Sequence, residues 1–175
     1  HEPGAVPEKN PTGLYRTTFT IASAWAGRDV VLHIGGFESV ALVWCNGASV
    51  GMGKDSRLPS EFDLTAHLVA GENTLAIMVI KWSDATWIED QDHWRHGGLH
   101  RSVFIEARAK TRIDDLIVVA DYDAATGEGD LNVRAQIKGA SAGWRVSLRL
   151  EDEAGQVLAE LAAVDVKQFG HDASV

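Results

Sequence analysis

The chain has 175 residues, 45% of them apolar and six of them tryptophan. That is enough to bury a core in one or two domains of ~100–150 residues, and too apolar and aromatic for a disordered chain. Sixteen basic residues against 25 acidic ones leave a net charge of −9, which excludes the basic surface that nucleic-acid binding needs. The single cysteine, Cys45, precludes an internal disulfide. No apolar stretch approaches the ~18 residues of a membrane span, and no signal-peptide pattern opens the chain. The expectation is a cytoplasmic protein with no membrane and no nucleic-acid partner.

In chain order, residues 1–13 carry three of the four prolines and read as an extended arm. Leu14 to Ile21 alternates, with Leu14, Arg16, Thr18 and Thr20 on one face and Tyr15, Thr17, Phe19 and Ile21 on the other. Asp29 to Ile34 is a second strand. Val40 to Trp44 and Ala48 to Met52 flank Asn46-Gly47, the strongest short hairpin signal, because a type I′ turn needs positive φ at both central residues. Phe62 to Val69 predicts a short helix capped by Asp63 or Thr65, and Gly71-Glu72-Asn73 a turn. Thr74 to Trp82 is apolar enough for a central strand buried on both faces, with Leu75, Ile77 and Val79 on one side and Ala76, Met78 and Ile80 on the other. Residues 83–100 are irregular, and Ser102 to Ala107 is a further strand.

The character changes near residue 110. Strands follow at Leu116 to Asp121, Asp130 to Ile137, Trp144 to Glu151 and Val157 to Val166, separated by polar, glycine-bearing turns. The expected organisation is an arm over 1–13, one all-β unit over 14–110 and a second over 111–175. Four strands make roughly half of an immunoglobulin-like sandwich. The second unit, ending in KQFGHDASV, is therefore expected to be truncated.

The densest chemistry lies in Trp87 to Arg101, WIEDQDHWRHGGLHR. Carboxylates and arginine bond sugar hydroxyls, and tryptophan stacks on a pyranose face. The plainer reading is a polar loop whose tryptophans pack on a sandwich edge. His93, His96 and His100 would share a helix face at i, i+3, i+7, but Gly97-Gly98 breaks a helix there, which disfavours a zinc triad. Glu89, Asp90 and Asp92 are too close in sequence to oppose one another across a glycosidic bond. Cys45 reads as a small buried hydrophobe, and Arg57 with Glu61 or Asp63 as an ion pair holding a loop. No phosphate-cradling loop and no Ser-His-Asp order stands out.

Three segments together, NPTGLY, LVWCNGASVGMGKDSRLPSEFDLTAHLVAGENTLAIMVIKWSD and IEDQDHWRHGGLHRSV, resemble the N-terminal sugar-binding domain of bacterial β-galactosidases of glycoside hydrolase family 2. The resemblance covers residues 10 to 108. By position, residues 110–175 resemble the start of the immunoglobulin-like domain that follows in that family. It implies a galactose-binding-like jelly-roll β-sandwich, followed by a partial immunoglobulin-like sandwich. It also implies a homo-oligomeric parent enzyme that hydrolyses terminal β-D-galactosides with retention.

The family's two catalytic glutamates and its magnesium ligands lie on a separate catalytic barrel, so no catalytic residue and no cofactor is expected in this chain itself. Asp92 matches the family's aspartate that reaches from this domain into the barrel's pocket, where it contacts galactose and a sodium ion. Trp94 and Arg95 are possible sugar-loop residues, and nothing functional transfers to His93. The family's galactose-contacting asparagine falls upstream of NPTG, so neither Asn10 nor Asn46 is its counterpart. The leading reading is a non-catalytic accessory domain. A stand-alone carbohydrate-binding module and a purely structural assembly domain are the alternatives.

Overall fold

The computed structural model describes residues 5–89, 91–169 and 172–174. The chain separates into two units, His1–Arg108 and Ala109–Val175. In the first, the strands are β1 (Thr12–Thr20), β2 (Asp29–Ile34), β3 (Phe37–Glu38), β4 (Val40–Cys45), β5 (Ala48–Gly53), β6 (Ser60–Asp63), β7 (Glu72–Ile80), β8 (Gly98–Leu99) and β9 (Val103–Arg108). One short helix, α1 (Ala85–Ile88), interrupts them. All pairings are antiparallel, in a four-stranded sheet β1-β7-β4-β5, a three-stranded sheet β6-β2-β9 and the small pair β3-β8.

The period-2 alternation of the strands builds the core. Ala41, Val43 and Cys45 of β4 and Leu75, Ile77 and Val79 of β7 meet Val30, Leu32 and Ile34 of β2, with Phe37, Phe62 and Leu64 closing the cluster. This is the expected two-sheet sandwich. Asn46 at φ +51° and Gly47 at φ +80° form the two-residue turn between the paired Cys45 and Ala48.

One expectation holds and another needs correction. Ala76, Met78 and Ile80 are largely buried, though less so than Leu75, Ile77 and Val79. Their cover comes from same-face cross-strand neighbours, Arg16 and Trp44 beside Ala76 and Leu14 and Leu42 beside Met78, so the outer face of β7 is flanked and not capped. Phe62 to Val69 is not a helix. Phe62 lies in β6 opposite Leu32 and faces the core, and only Thr65–His67 makes a 3-10 turn. Of the would-be cap residues, Asp63 holds the start of that turn and Thr65 serves the sandwich. Asp63 Oδ1 accepts from the Thr65 N–H at 2.8 Å, and Thr65 Oγ1 accepts from the Val30 N–H at 2.9 Å.

The second unit contains β10 (Arg112–Asp123), β11 (Glu128–Lys138), β12 (Arg145–Glu151), β13 (Val157–Asp165), β14 (Lys167–Phe169) and β15 (Asp172–Ser174). They form a sheet β10-β11-β15-β14 and a pair β12-β13. The all-β expectation holds, with two short strands more than the four foreseen. Ala135 and Ile137 are its buried apolar residues among those described, with Ala140, Val146 and Val166 packed on them.

Candidate functional site

The segment between β7 and β9 is irregular, yet it is fastened at many points. At its start, the Asn10 side chain donates Nδ2–H to the Trp82 carbonyl at 2.8 Å and accepts from the Trp82 N–H at 2.9 Å. Ser39 Oγ donates to Ser83 Oγ at 2.8 Å. Asp84 caps α1 by accepting from the Ala85 N–H and is held by Lys54 Nζ at 2.6 Å. The Asp84 carboxyl sits below the usual carboxylate range, chiefly because of that lysine.

Further along, the Glu89 carboxylate accepts from the Ser56 N–H at 3.3 Å. Arg57 does not pair with Glu61 or Asp63. Its guanidinium donates to the Glu89 carbonyl at 3.4 Å and to His93 Nδ1 at 3.1 Å, clamping the loop from the far side. Glu61 turns to Arg108 and His33. A second set of contacts holds the return toward β9. The Gly97 N–H donates to Glu38 Oε2 at 3.1 Å, the Leu99 N–H to Tyr15 Oη at 3.3 Å, and the His100 N–H to the Gly36 carbonyl at 3.2 Å. Gly97 and Gly98 both have positive φ, near +72°, and a Cβ on Gly98 would lie 2.5 Å from Tyr15 Oη. The glycines excluded a helix in the sequence; here they turn the chain back onto the sandwich.

The candidate residues fall into two groups. Asp92 is exposed, and its carboxylate makes no hydrogen bond or ion pair among the described residues. Trp94 is 83% exposed. Arg95 is committed elsewhere, with its guanidinium carbon 5.5 Å from the ring centres of both Trp82 and Trp87. Asp90 lies outside the described residues. Cys45 is fully buried, and burial raises its thiol, which leaves an inert thiol. Asn10 and Asn46 serve backbone and neighbouring side chains.

The loop brings the three histidines together without a helix. The His93 and His96 rings are 5.4 Å apart centre to centre, His96 and His100 6.1 Å, and His93 and His100 6.4 Å. With Gly97, Leu99 and Arg101 they line a cavity of about 480 Å³. Burial holds the His100 imidazole below its ordinary value, Arg101 adding to this and Glu38 opposing it. In their described positions, no three His, Cys, Asp or Glu side chains are set to hold a metal ion.

Local sequence reasoning missed Tyr15, Glu38, Ser56 and Arg57 as the residues that fix this loop. Their partners lie 32 to 84 positions away, so no short pattern announces them.

The first unit is thus a two-sheet sandwich with a polar, aromatic loop between β7 and β9. The profile described as "Glycosyl hydrolases family 2, sugar binding domain" matches residues 1–108. The chain is 40% identical over 159 residues to the β-galactosidase of Psychromonas ingrahamii, covering 91% of this chain and 15% of that protein. It is 44% identical over 135 residues to that of Photobacterium profundum, covering 77% and 13%. Among solved structures, β-glucuronidase 2 of Bacteroides uniformis superposes with a TM-score of 0.76 at 21% identity, over 95% of this chain and 21% of that one. A glycosyl hydrolase family 2 member of Bacteroides cellulosilyticus gives 0.74 at 20%, over 94% and 23%. These structural matches speak to the fold. The chain belongs to glycoside hydrolase family 2 through its sugar-binding domain, and it spans about 15% of the length of the curated relatives it matches. No helix among the described residues is long and apolar enough to cross a membrane.

Proposed function

We propose that this chain is the accessory sugar-binding part of a retaining β-galactosidase and that Asp92 is its contribution to the galactosyl pocket. The observation that carries this is the contrast within one loop. Glu89, Arg95 and the backbone around them are tied down, while Asp92 is presented to solvent with its acceptor capacity unspent. A carboxylate so held can accept hydrogen bonds from sugar hydroxyls, and it offers an oxygen to sodium. The remaining sodium donors, the magnesium site and the two glutamates of the retaining mechanism would come from the rest of a longer, homo-oligomeric and cytoplasmic parent. The aspartate acts here by binding and orientation. Glu89 helps to hold the loop, its carboxylate accepting from the Ser56 N–H, and stands too near Asp92 in sequence to oppose it across a glycosidic bond.

The test has two arms. The 175-residue chain should give no turnover of a chromogenic β-galactoside. In the full-length protein, Asp92→Asn should lower kcat/KM by roughly 10²–10³, the scale of losing one placed polar group at a reacting centre. Turnover by the chain alone, or an Asp92→Asn enzyme of full activity, would overturn the reading. The exposure of Trp94 supports a second reading, a carbohydrate-binding module acting by itself. One stacking ring and one carboxylate offer few convergent groups, so its galactose Kd should be about millimolar or weaker. Micromolar binding in calorimetry would favour the module.

A further inference from the structure

We propose that Arg57 is the positioning residue for Asp92, the side chain that sets where its carboxylate points although no hydrogen bond joins the two. This rests on the reading of Asp92 as part of a galactosyl pocket. Asp92 stands at the tip of a three-residue turn, closed by the His93 N–H donating to the Gln91 carbonyl at 2.6 Å. Its own carboxylate holds nothing in place among the described residues, so its direction is set by the chain on either side. Arg57 grips both sides. Nη1 donates to His93 Nδ1 at 3.1 Å, one residue after Asp92, and Nη2 reaches the Glu89 carbonyl at a longer 3.4 Å, three residues before it. An arginine can only donate, which assigns the acceptor role to Nδ1 and the ring proton to Nε2. The planar fork of the guanidinium keeps its donors at a set spacing and angle, and it holds the two sides of the turn accordingly.

The fork is mounted on a stiff base. Asp55 Oδ1 accepts from the Arg57 N–H at 2.8 Å and from the Leu58 N–H at 2.9 Å, an Asx turn that shapes the segment between β5 and β6. Arg101 Nη1 donates to the Arg57 carbonyl at 2.8 Å. The second observation is what Arg57 forgoes. Among the described residues its guanidinium bonds no carboxylate, neither Glu61 nor Asp63, and its Nε is buried without a partner. A buried donor left unmet costs stability. An arginine kept for the fold alone would be spent on one of those acids; this one gives up a bond and takes the two flanks of Asp92, the local compromise expected at a functional site. Arg95, between Trp82 and Trp87, anchors the chain only beyond His93.

The test has two readouts. In the 175-residue chain, spin relaxation of the backbone amides should give Gln91, Asp92 and His93 order parameters of roughly 0.8, falling to about 0.6 or below in Arg57→Lys, whose single ammonium cannot span both sides. His93→Leu, at an exposed residue outside the core, removes the acceptor instead and should loosen the same turn. In the full-length protein, Arg57→Lys should lower kcat/KM by roughly 10–10², the scale of an ångström's misplacement. That loss should vanish in the Asp92→Asn background, where no carboxylate is left to aim, so the double variant matches Asp92→Asn. A merely structural role would lower activity by the same factor in both backgrounds. A turn already mobile in the wild-type chain, order parameters unchanged in both variants, or losses that multiply would overturn the proposal and leave Asp92 in the pocket. An Asp92→Asn enzyme of full activity would overturn the pocket reading and this proposal with it.

Discussion

Asn73 is fully buried with every hydrogen-bonding position of its amide in use. Nδ2 donates to the Val69 and Gly71 carbonyls at 3.0 Å, and Oδ1 accepts from the Val69 N–H and Asn46 Nδ2 at 2.8 Å. Of the expected turn Gly71-Glu72-Asn73, the bend at Gly71 was legible from composition, while Glu72 and Asn73 are the first residues of β7, paired with Thr20 and Phe19 of β1. That this asparagine also anchors the Asn46-Gly47 hairpin was not legible, because the bond spans 27 residues. Asp92 shows the same division: nothing local in EDQD separates it from Glu89, and only the family resemblance singled it out. At this scale pH enters through Glu61. Its carboxyl is held below the ordinary value, first by the Arg108 guanidinium and then by His33. A depressed folded value means the contribution is full above the unfolded value of about 4.3 and is lost as pH falls through the lower folded one. Urea midpoints should therefore differ between the wild-type chain and Glu61→Gln at neutral pH and converge under acid conditions. A gap that widens on acidification would contradict this. The effect should be small, since the Glu61 side chain is 42% exposed.

Elements with a strong two-residue period and a clear turn were readable: β2 runs over Asp29–Ile34 as expected, and the hairpin falls on Asn46-Gly47. The failures have a common cause. The two-residue strands β3 and β8 are too short to carry a period, and Phe62 to Val69 was read as a short helix from the cap-type residues Asp63 and Thr65, whereas Leu32 claims Phe62 across the sheet. The loop carrying Asp92 depends on such a non-local pairing, β3 against β8. Gly98→Ala should cost about 1–3 kcal/mol, from positive φ and from the Tyr15 hydroxyl where the new methyl would sit. Chemical denaturation measures it. Tyr15→Phe in the same background should recover part of the loss by removing that hydroxyl. No recovery would place the cost in the backbone alone.

For the molecule as a whole, the two units differ in how well they are filled. The first has one continuous core. In the second, Leu116 and Leu161 line a cavity of about 320 Å³ and remain 52% and 61% exposed. Exposed apolar strand faces favour association. Sedimentation velocity should show concentration-dependent self-association of the chain, and Leu116→Lys with Leu161→Lys should reduce it without altering the near-UV signal of the tryptophan-rich first unit. An unchanged sedimentation profile in the double variant would count against this. Position and strand count suggested this region from sequence, and four strands already implied an uncovered apolar face; which residues lie on it did not show, since burial depends on what lies opposite each strand.

The Asn10 side chain has a consequence for where the first unit begins. The Lys81 N–H donates to the Pro11 carbonyl at 3.1 Å, and the next rung is completed by the Asn10 amide, which bonds both the N–H and the carbonyl of Trp82. A side chain thus extends the ladder past a proline, which cannot donate. Trp82 in turn is one of the two rings flanking Arg95. A protease trimming the amino terminus would therefore meet a functional limit at Asn10, two residues ahead of the first strand: cleavage after it would unfasten the far end of β7 and the aromatic seat of the loop that carries Asp92.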